Sequence, residues 1–142
     1  MNKLQGSCHC KKIVFEYESA SIPALECNCS LCARKGAIWQ AVDNEHFKIL
    51  SGEDDLGLYQ FGTKTAKHFF CKTCGVSTFS NPRIAPDKWA VNLRCVDDVD
   101  LGTLTVLPFD GQNWEQSARA LMTALRSGEV PQTAGADRTK PR

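Results

Sequence analysis

The chain has 142 residues, a length that fits one domain with an ordinary buried core. Apolar residues make up 42% and charged residues 23%, and the formal net charge is +1, so no charge bias predicts a nucleic-acid, membrane or acidic partner. Residues 1–6 lack the apolar segment of a signal peptide, and no apolar run is long enough to span a bilayer. We therefore expect a cytoplasmic protein with no membrane partner.

Short strand-like segments follow one another through the first two thirds of the chain. Alternating polarity, or enrichment in β-branched and aromatic residues, predicts strands at residues 12–18, 37–42, 46–50, 58–61, 67–70 and 89–95. Turn-forming residues at 51–55 separate two of these segments. Many short strands with turns between them predict a mainly β, antiparallel fold.

The C-terminal part carries a different pattern. A helical stripe with spacing i, i+3, i+4, i+7 is formed by Ala118, Leu121, Met122 and Leu125. We expect Asn113, with Gln116 three residues later, to cap this helix and Gly128 to end it. The apolar stripe would pack on the sheet or on a partner chain, so a homo-oligomer is one outcome. Residues 129–142 are small, polar and basic, which predicts a disordered tail after a single domain of residues 1–128.

Seven of the eight cysteines lie in three short motifs, Cys8-x-Cys10, Cys27-x-Cys29-x-x-Cys32 and Cys71-x-x-Cys74. In a reducing compartment, cysteines clustered in this way bind metal more often than they form disulfides. The eighth, Cys95, stands alone, and a lone cysteine is usually a small buried apolar residue. The cysteine pattern therefore predicts metal binding.

The first and last motifs together form one predicted metal site. Cys8 and Cys10 precede the first predicted strand, and at a spacing of two they can point to the same face and reach one ion. Residues 71–75 have the form of a zinc knuckle, in which Gly75 permits a positive φ behind the cysteine pair. The two pairs supply four thiolates, the closed tetrahedral set that a structural Zn²⁺ takes.

The middle motif offers only three thiolates, from Cys27, Cys29 and Cys32. Structural zinc sites are normally closed by four protein ligands, whereas catalytic sites use three and leave a position for water or substrate. Three cysteines thus favour an open site. A fourth ligand would make the site structural, and spacing alone does not choose between the two readings. The candidates for such a ligand are His9, His46, His68 and Cys95.

Three cysteine motifs in the same order and at the same spacing make the chain resemble the glutathione-dependent formaldehyde-activating enzyme (Gfa) family, which also includes centromere protein V. The motifs are residues 6–10, 27–32 and 70–75, and residues 91–95 and 109–111 are similar to later motifs of that family.

The resemblance implies an Mss4-like fold of packed antiparallel sheets with one or two Zn²⁺ ions per chain. A structural zinc maps onto Cys8, Cys10, Cys71 and Cys74, and a second, catalytic zinc maps onto Cys27, Cys29 and Cys32. The activity implied is condensation of formaldehyde with glutathione, which is a carbon–sulfur lyase reaction written in reverse. Asn28 stands where formaldehyde-activating members tend to carry His, and the helix after Trp114 is not part of the family pattern. Fold and metal are therefore expected to transfer, and the substrate is not.

Two functions follow as hypotheses. In the first, the open zinc site binds a small thiol such as glutathione, Asn28 and Ser30 orient the substrate, and His46 or His68 is the candidate general base. In the second, the protein is a non-catalytic zinc-binding module for a protein, a nucleic acid or a small thiol. Its contact surfaces would be the C-terminal helix and the basic run around Lys67. That run consists of Lys64, Lys67, His68 and Lys72, and at this net charge a solvated strand face is the better expectation than nucleic-acid contact.

Overall fold

The computed structural model describes residues 2–19 and 23–127, and its elements are mainly strands. The strands are β1 (Asn2–Ser7), β2 (Val14–Ser19), β3 (Ala24–Cys27), β4 (Trp39–Val42), β5 (Phe47–Ser51), β6 (Leu56–Tyr59), β7 (Lys67–Cys71), β8 (Phe79–Asn81), β9 (Trp89–Asn92) and β10 (Val106–Phe109). The α-helices are α1 (Ser30–Lys35) and α2 (Trp114–Ser127). The helix stop predicted at Gly128 and the predicted tail at 129–142 lie outside the described residues.

The strands form two sheets, so the predicted mainly β fold with a C-terminal helix is confirmed. The smaller sheet has the order β1-β2-β5 and is antiparallel. The larger has the order β10-β3-β4-β9-β8-β7-β6. Wholly antiparallel pairing was wrong at one edge, where β10 runs parallel to β3 with Val106 opposite Ala24. These two strands are far apart in the chain, so no hairpin turn dictates their relative direction.

The two sheets face each other across an aromatic core. Phe15 of β2 meets Phe79 of β8 edge-on, with ring centroids 5.5 Å apart, and Phe79 meets Trp89 of β9 in the same way at 5.5 Å. Phe47 of β5 stacks on Trp89 at 4.3 Å. Burial of these large apolar rings supplies the main favourable free energy of the fold.

Strand alternation gives the larger sheet a second buried face. Val42 of β4 and Phe79 of β8 point into the core between the sheets, whereas Trp39 of β4 and Ala90 of β9 belong to a separate buried cluster. Cys32 of α1 also belongs to this second cluster. The face of the large sheet that lies away from the small sheet is therefore covered, and the second cysteine motif lies on it.

Several strand and turn predictions differ from the structure. Strands β1, β3, β8 and β10 were not predicted, because they are short or polar and acquire their pairing from partners distant in the chain. Cys8 and Cys10 lie in the turn between β1 and β2, and not on a strand. The predicted strand at 89–95 ends at Asn92, where the chain forms a 3₁₀ turn over Leu93–Cys95.

The helix α2 forms where it was predicted, but its start and its apolar stripe differ from expectation. Asp110, and not Asn113, accepts a backbone hydrogen bond at this end, from the N–H of Gln112 in the 3₁₀ turn that leads into α2. Met122 and Leu125 are 41% and 54% exposed, so only part of the predicted stripe packs on the protein. Among the described residues, no helix has the length and apolarity needed to cross a bilayer.

Candidate metal centres and the adjoining cavity

The first and last cysteine motifs come together as predicted. The Sγ atoms of Cys8, Cys10, Cys71 and Cys74 all lie within 4.8 Å of one another. Two of the Sγ–Sγ separations, from Cys8 to Cys10 and from Cys10 to Cys71, are 3.6 Å each. A tetrahedron with Zn–S bonds of about 2.3 Å has S–S edges of about 3.8 Å. The four-cysteine cluster therefore fits one zinc-sized ion.

Each half of this cluster is a turn closed by its first cysteine. The backbone N–H of Cys8 donates to Ile13 O at 3.0 Å, and that of Cys71 donates to Val76 O at 3.0 Å. Gly75 has a φ of +80°, which confirms the predicted conformation behind the second pair. Both turns aim two sulfurs at one point and join the β1–β2 turn to the end of β7.

The protonation of the four-cysteine cluster depends on burial and on backbone donors. Backbone N–H groups, first that of Cys10, lower the pKa of Cys74 to about 6. Burial raises the pKa of Cys71 to about 12. At pH 7 Cys74 would then be a thiolate and Cys71 a protonated thiol, and a bound cation would favour the thiolate form of both.

The second motif is built at the junction of a strand and a short helix. Cys27 is the last residue of β3, Cys29 is the N-cap of α1 and Cys32 lies in the first turn of α1. The N–H of Cys29 donates to Cys27 Sγ at 3.4 Å, and the N–H of Cys32 donates to Cys29 Sγ at 3.3 Å. Cys27 and Cys29 do not lie on one strand, because β3 ends at Cys27. Helix capping brings the sulfurs together instead.

The three sulfurs lie within 4.8 Å of one another, and no further His, Cys, Asp or Glu of the described residues joins them. Cys95 Sγ lies on the other side of the sheet, where it donates to Ser77 O at 3.7 Å and burial raises its pKa to about 11. His46 lies in a 3₁₀ turn between Glu18 and Glu45. His9 occupies an exposed turn position. The chain as described offers three ligands here.

Hydrogen bonding among the three thiols favours a single negative charge. The Cys27 thiol donates to Cys29, which raises the pKa of Cys27 and lowers the pKa of Cys29 to about 2. Three thiolates this close would repel one another strongly unless a cation sat between them. The donor set, three sulfurs converging at the start of a helix, fits a soft divalent cation such as zinc.

A loop from the far end of the domain packs directly on this cluster. A Cβ added at Gly111 would lie 2.6 Å from Cys27 Sγ and 2.7 Å from Cys29 Cβ. Only a glycine therefore lets residues 109–112 approach so closely. The similarity of residues 109–111 to a late family motif was the one sequence signal that pointed to this loop.

Asn28 connects the cysteine motif to the same loop. Its Nδ2 donates to Asp110 Oδ1 at 3.1 Å, and its Oδ1 accepts from the N–H of Gln112 at 3.2 Å. Its own N–H donates to Phe109 O at 3.2 Å. Neither Asn28 nor the exposed Ser30 lines the cavity described below. Their roles as substrate contacts stay predictions, and the hydrogen bonds of Asn28 indicate a positioning role.

The second cluster forms part of the wall of a cavity of about 250 Å³. Besides Cys27, Cys29 and Cys32, most of the wall is apolar and comes from strands, loops and α2. Its larger members include Leu25, Trp39, Phe61, Ile84, Trp114 and Leu121. Sequence reasoning missed all six as site residues, because they are distant in the chain and individually ordinary. A mainly apolar concavity beside converging polar groups is typical of a small-molecule site.

Few polar groups face this cavity, and His68 of β7 is one of them. The His68 ring stacks on Phe61 with centroids 5.8 Å apart, and burial lowers its pKa to about 4, so the ring is neutral at pH 7. Within the described part of the chain, His68 Nδ1 is buried and has no hydrogen-bond partner. His68 is thus separated from the metal ligands but shares their cavity.

Comparison with known proteins agrees with the geometry. A family model described as glutathione-dependent formaldehyde-activating enzyme matches residues 3–116, a stretch that contains all seven clustered cysteines and Gly111. A Rhodobacter sphaeroides protein with a crystal structure is 37% identical, with a TM-score of 0.66. That match covers 72% of this chain and 99% of the other.

Proposed function

Because the chain belongs to the glutathione-dependent formaldehyde-activating enzyme family, we propose that it is a zinc-dependent carbon–sulfur lyase acting on a small-molecule thiol adduct. In this proposal a structural zinc is held by the four-cysteine cluster, and a second zinc by Cys27, Cys29 and Cys32. The observation that carries the proposal is that the three-cysteine cluster lies in the wall of a cavity. A closed structural site would have no need of that access.

The proposed reaction is redox-neutral. In the cleavage direction, the S–C bond of a hydroxyalkyl thioether breaks, its electron pair stays on sulfur, and the hydroxyl group loses its proton as the C=O bond forms. The products are one thiol and one aldehyde, and condensation is the reverse. A zinc ion bound by three cysteines would hold the thiol sulfur as a thiolate.

The chain's own residues would position the reactants. Asn28 and Asp110 fix the cysteine motif against the 109–112 loop, so the three sulfurs keep one arrangement. The neutral His68 ring is a polar group on the cavity wall, and we assign it the hydrogen bond to the substrate oxygen. His46 is not among the residues that line the cavity, so we propose His68 and not His46 for this role.

The test replaces zinc with Co²⁺ and titrates a small thiol. Absorption of Co²⁺ reports its ligands, so an open site should change its spectrum when thiol is added, and the four-cysteine site should not. We expect two metal ions per chain, with the spectral change confined to one. Turnover is followed separately by NMR, from mixed thiol and aldehyde to the hydroxyalkyl thioether.

Cys32→Ser is the variant and Cys95→Ser its matched control, because both remove one cysteine but only Cys32 belongs to a cluster. We expect Cys32→Ser to abolish the spectral response to thiol and Cys95→Ser to retain it. If the absorption spectrum of the Co²⁺ protein did not change with any thiol tested, this would contradict the open site and favour the non-catalytic zinc-binding module.

A further inference from the structure

The cavity wall beside the three cysteines is mainly apolar, and such a wall offers few partners to a polar peptide thiol. Its apolar side chains include Leu25, Trp39, Phe61, Ile84, Trp114 and Leu121. Apolar walls favour ligands whose apolar surface is removed from water on binding. They penalise ligands whose polar groups are left without hydrogen-bond partners. The wall therefore selects for a hydrocarbon or aromatic group.

The charges around the cavity point the same way. Glutathione carries two carboxylates and one ammonium group, which need charged or strongly polar partners. Of the lining residues that the structure describes, Arg83 is the one Lys or Arg, and no Asp or Glu is among them. Arg83 is already engaged, with its guanidinium 3.8 Å from the Trp114 ring centroid and 3.6 Å from a Glu115 carboxylate oxygen. The ligand's charged groups would find few partners here.

Part of the apolar wall comes from beyond the matched family region. The family model ends at residue 116, and Leu121 of α2 lies past it. Arg83 and Trp114 join the loop after β8 to the start of α2, which holds the helix beside the cavity. Ala118 is 7% exposed and anchors the same face of the helix. This helix face narrows the cavity with apolar surface.

Resting on the proposed function, we infer that the substrate is a thiol adduct whose non-reacting part is a single aromatic ring or a short aliphatic group. The bond made or broken is the same S–C bond, between a thiol and an aldehyde, and the hydroxyl proton passes to sulfur on cleavage. What the cavity selects is the apolar group, which either the thiol or the aldehyde can carry.

The probes differ in polarity and in which partner carries the ring. The first pair is 2-phenylethanethiol against glutathione, each with formaldehyde, and the second is benzaldehyde against formaldehyde, each with glutathione. Binding is read from tryptophan fluorescence, because Trp39 and Trp114 line the cavity while Trp89 lies in the core between the sheets. We expect the better phenyl probe to bind about tenfold or more tightly than its polar counterpart, since burying one ring is worth at least that factor.

Leu121→Ser is the variant and Met122→Ser its matched control. Both are on α2, but only Leu121 lines the cavity, while Met122 is 41% exposed. We expect Leu121→Ser to weaken phenyl-probe binding about threefold or more, and Met122→Ser to leave phenyl-probe binding unchanged. Phe61→Ser, with the exposed Leu58→Ser as control, repeats the test away from the helix.

The two proposals fail in different ways. Tighter binding of glutathione with formaldehyde than of either phenyl probe overturns the substrate inference, even if turnover is observed. Preferential phenyl-probe binding without any thioether formation supports an apolar ligand for the cavity and contradicts the lyase. Equal effects of Leu121→Ser and Met122→Ser on phenyl-probe binding would also overturn the inference, because Leu121 would then not contact the bound ligand.

Discussion

The two cysteine clusters use the same ligand chemistry but join very different lengths of chain. In the four-cysteine cluster, Cys10 and Cys71 are 61 residues apart, so a metal there connects the β1–β2 turn to the end of β7. Cys27 and Cys32 lie within one strand end and one helix turn. The entropy that a cross-link removes from the unfolded chain grows with the logarithm of loop length. A metal that closes the longer loop would therefore stabilise the folded state by about 2 kcal/mol more than one that closes the shorter loop.

The surroundings of the two clusters differ in the same direction. Cys8 and Cys71 are almost fully buried among the core residues, so a metal bound there would be part of the packing between the sheets. The three-cysteine cluster lies on the opposite face of the large sheet and borders a cavity. Under the proposed function, connectivity and access would separate a stabilising site from a functional one, although the ligands are alike.

The largest effect is expected from Cys74→Ser beside Cys29→Ser. Cys74→Ser should unfold the domain or remove one zinc with a loss of several kcal/mol, because binding of a structural zinc is itself folding free energy. Cys29→Ser should keep a nearly intact fold and lose the metal of the second site. Thermal unfolding and zinc content measured on both variants provide the check. Equal collapse of the two would make the second cluster structural.

Gly111→Ala tests how closely the 109–112 loop must approach the second cluster. The added Cβ would lie 2.6 Å from Cys27 Sγ, so the loop or the sulfur must move, at a cost of about 1–3 kcal/mol. We expect loss or marked weakening of metal binding at the second site only. Gly102→Ala is the control, since its nearest contact is the Asp100 side chain at 3.2 Å. Unchanged metal content in Gly111→Ala would contradict the close packing of the 109–112 loop on the second cysteine cluster.

Asn28→Ala separates the positioning role from a role in contacting substrate. Removing the hydrogen bonds to Asp110 and Gln112 should weaken zinc at the second site about tenfold, as expected for an outer-shell group, with no effect on the first site. Competition with a zinc chelator measures the affinity. Ser30→Ala is the control, being exposed in the same motif. If Asn28→Ala weakened thiol binding but not zinc binding, the substrate-contact prediction would hold instead.

The smallest effect concerns pH and His68. Its pKa is lowered from 6.5 to about 4 in the folded state, so the unfolded chain binds the proton more readily. The free energy of unfolding should therefore be undiminished above pH 6.5 and fall as pH decreases from 6.5 toward 4. For a partly exposed ring we expect about 1 kcal/mol between pH 7 and pH 5.

Urea unfolding of the parent protein, His68→Asn and His46→Asn at both pH values measures this contribution. The His68→Asn variant should lose that part of the pH dependence, and His46→Asn, in an exposed turn, should keep it. An identical pH dependence in all three proteins would show that the burial of His68 does not govern its protonation.

Features that depend on interactions between residues close in the chain were predicted well. Cysteine spacing indicated both clusters, Gly75 indicated the turn behind its pair, and the spacing in α2 indicated a helix. The strands β3, β8 and β10 were missed because each has three or four residues and depends on distant pairing. Asn113 was predicted to cap α2, whereas the side-chain cap that the structure shows is that of Asp110, at the 3₁₀ turn before the helix, since several polar residues there have the required chemistry.

The sequence by itself determined which residues can hold metal and that the fold is mainly β, because ligand type and short-range spacing are properties of the chain. The tertiary structure decided that no fourth ligand among the described residues joins the second set of cysteines, and that this set borders an apolar cavity. Those outcomes depend on how the large sheet brings β3, β7 and α2 to one face. Residues such as Leu25, His68 and Leu121 acquire a role only through that juxtaposition.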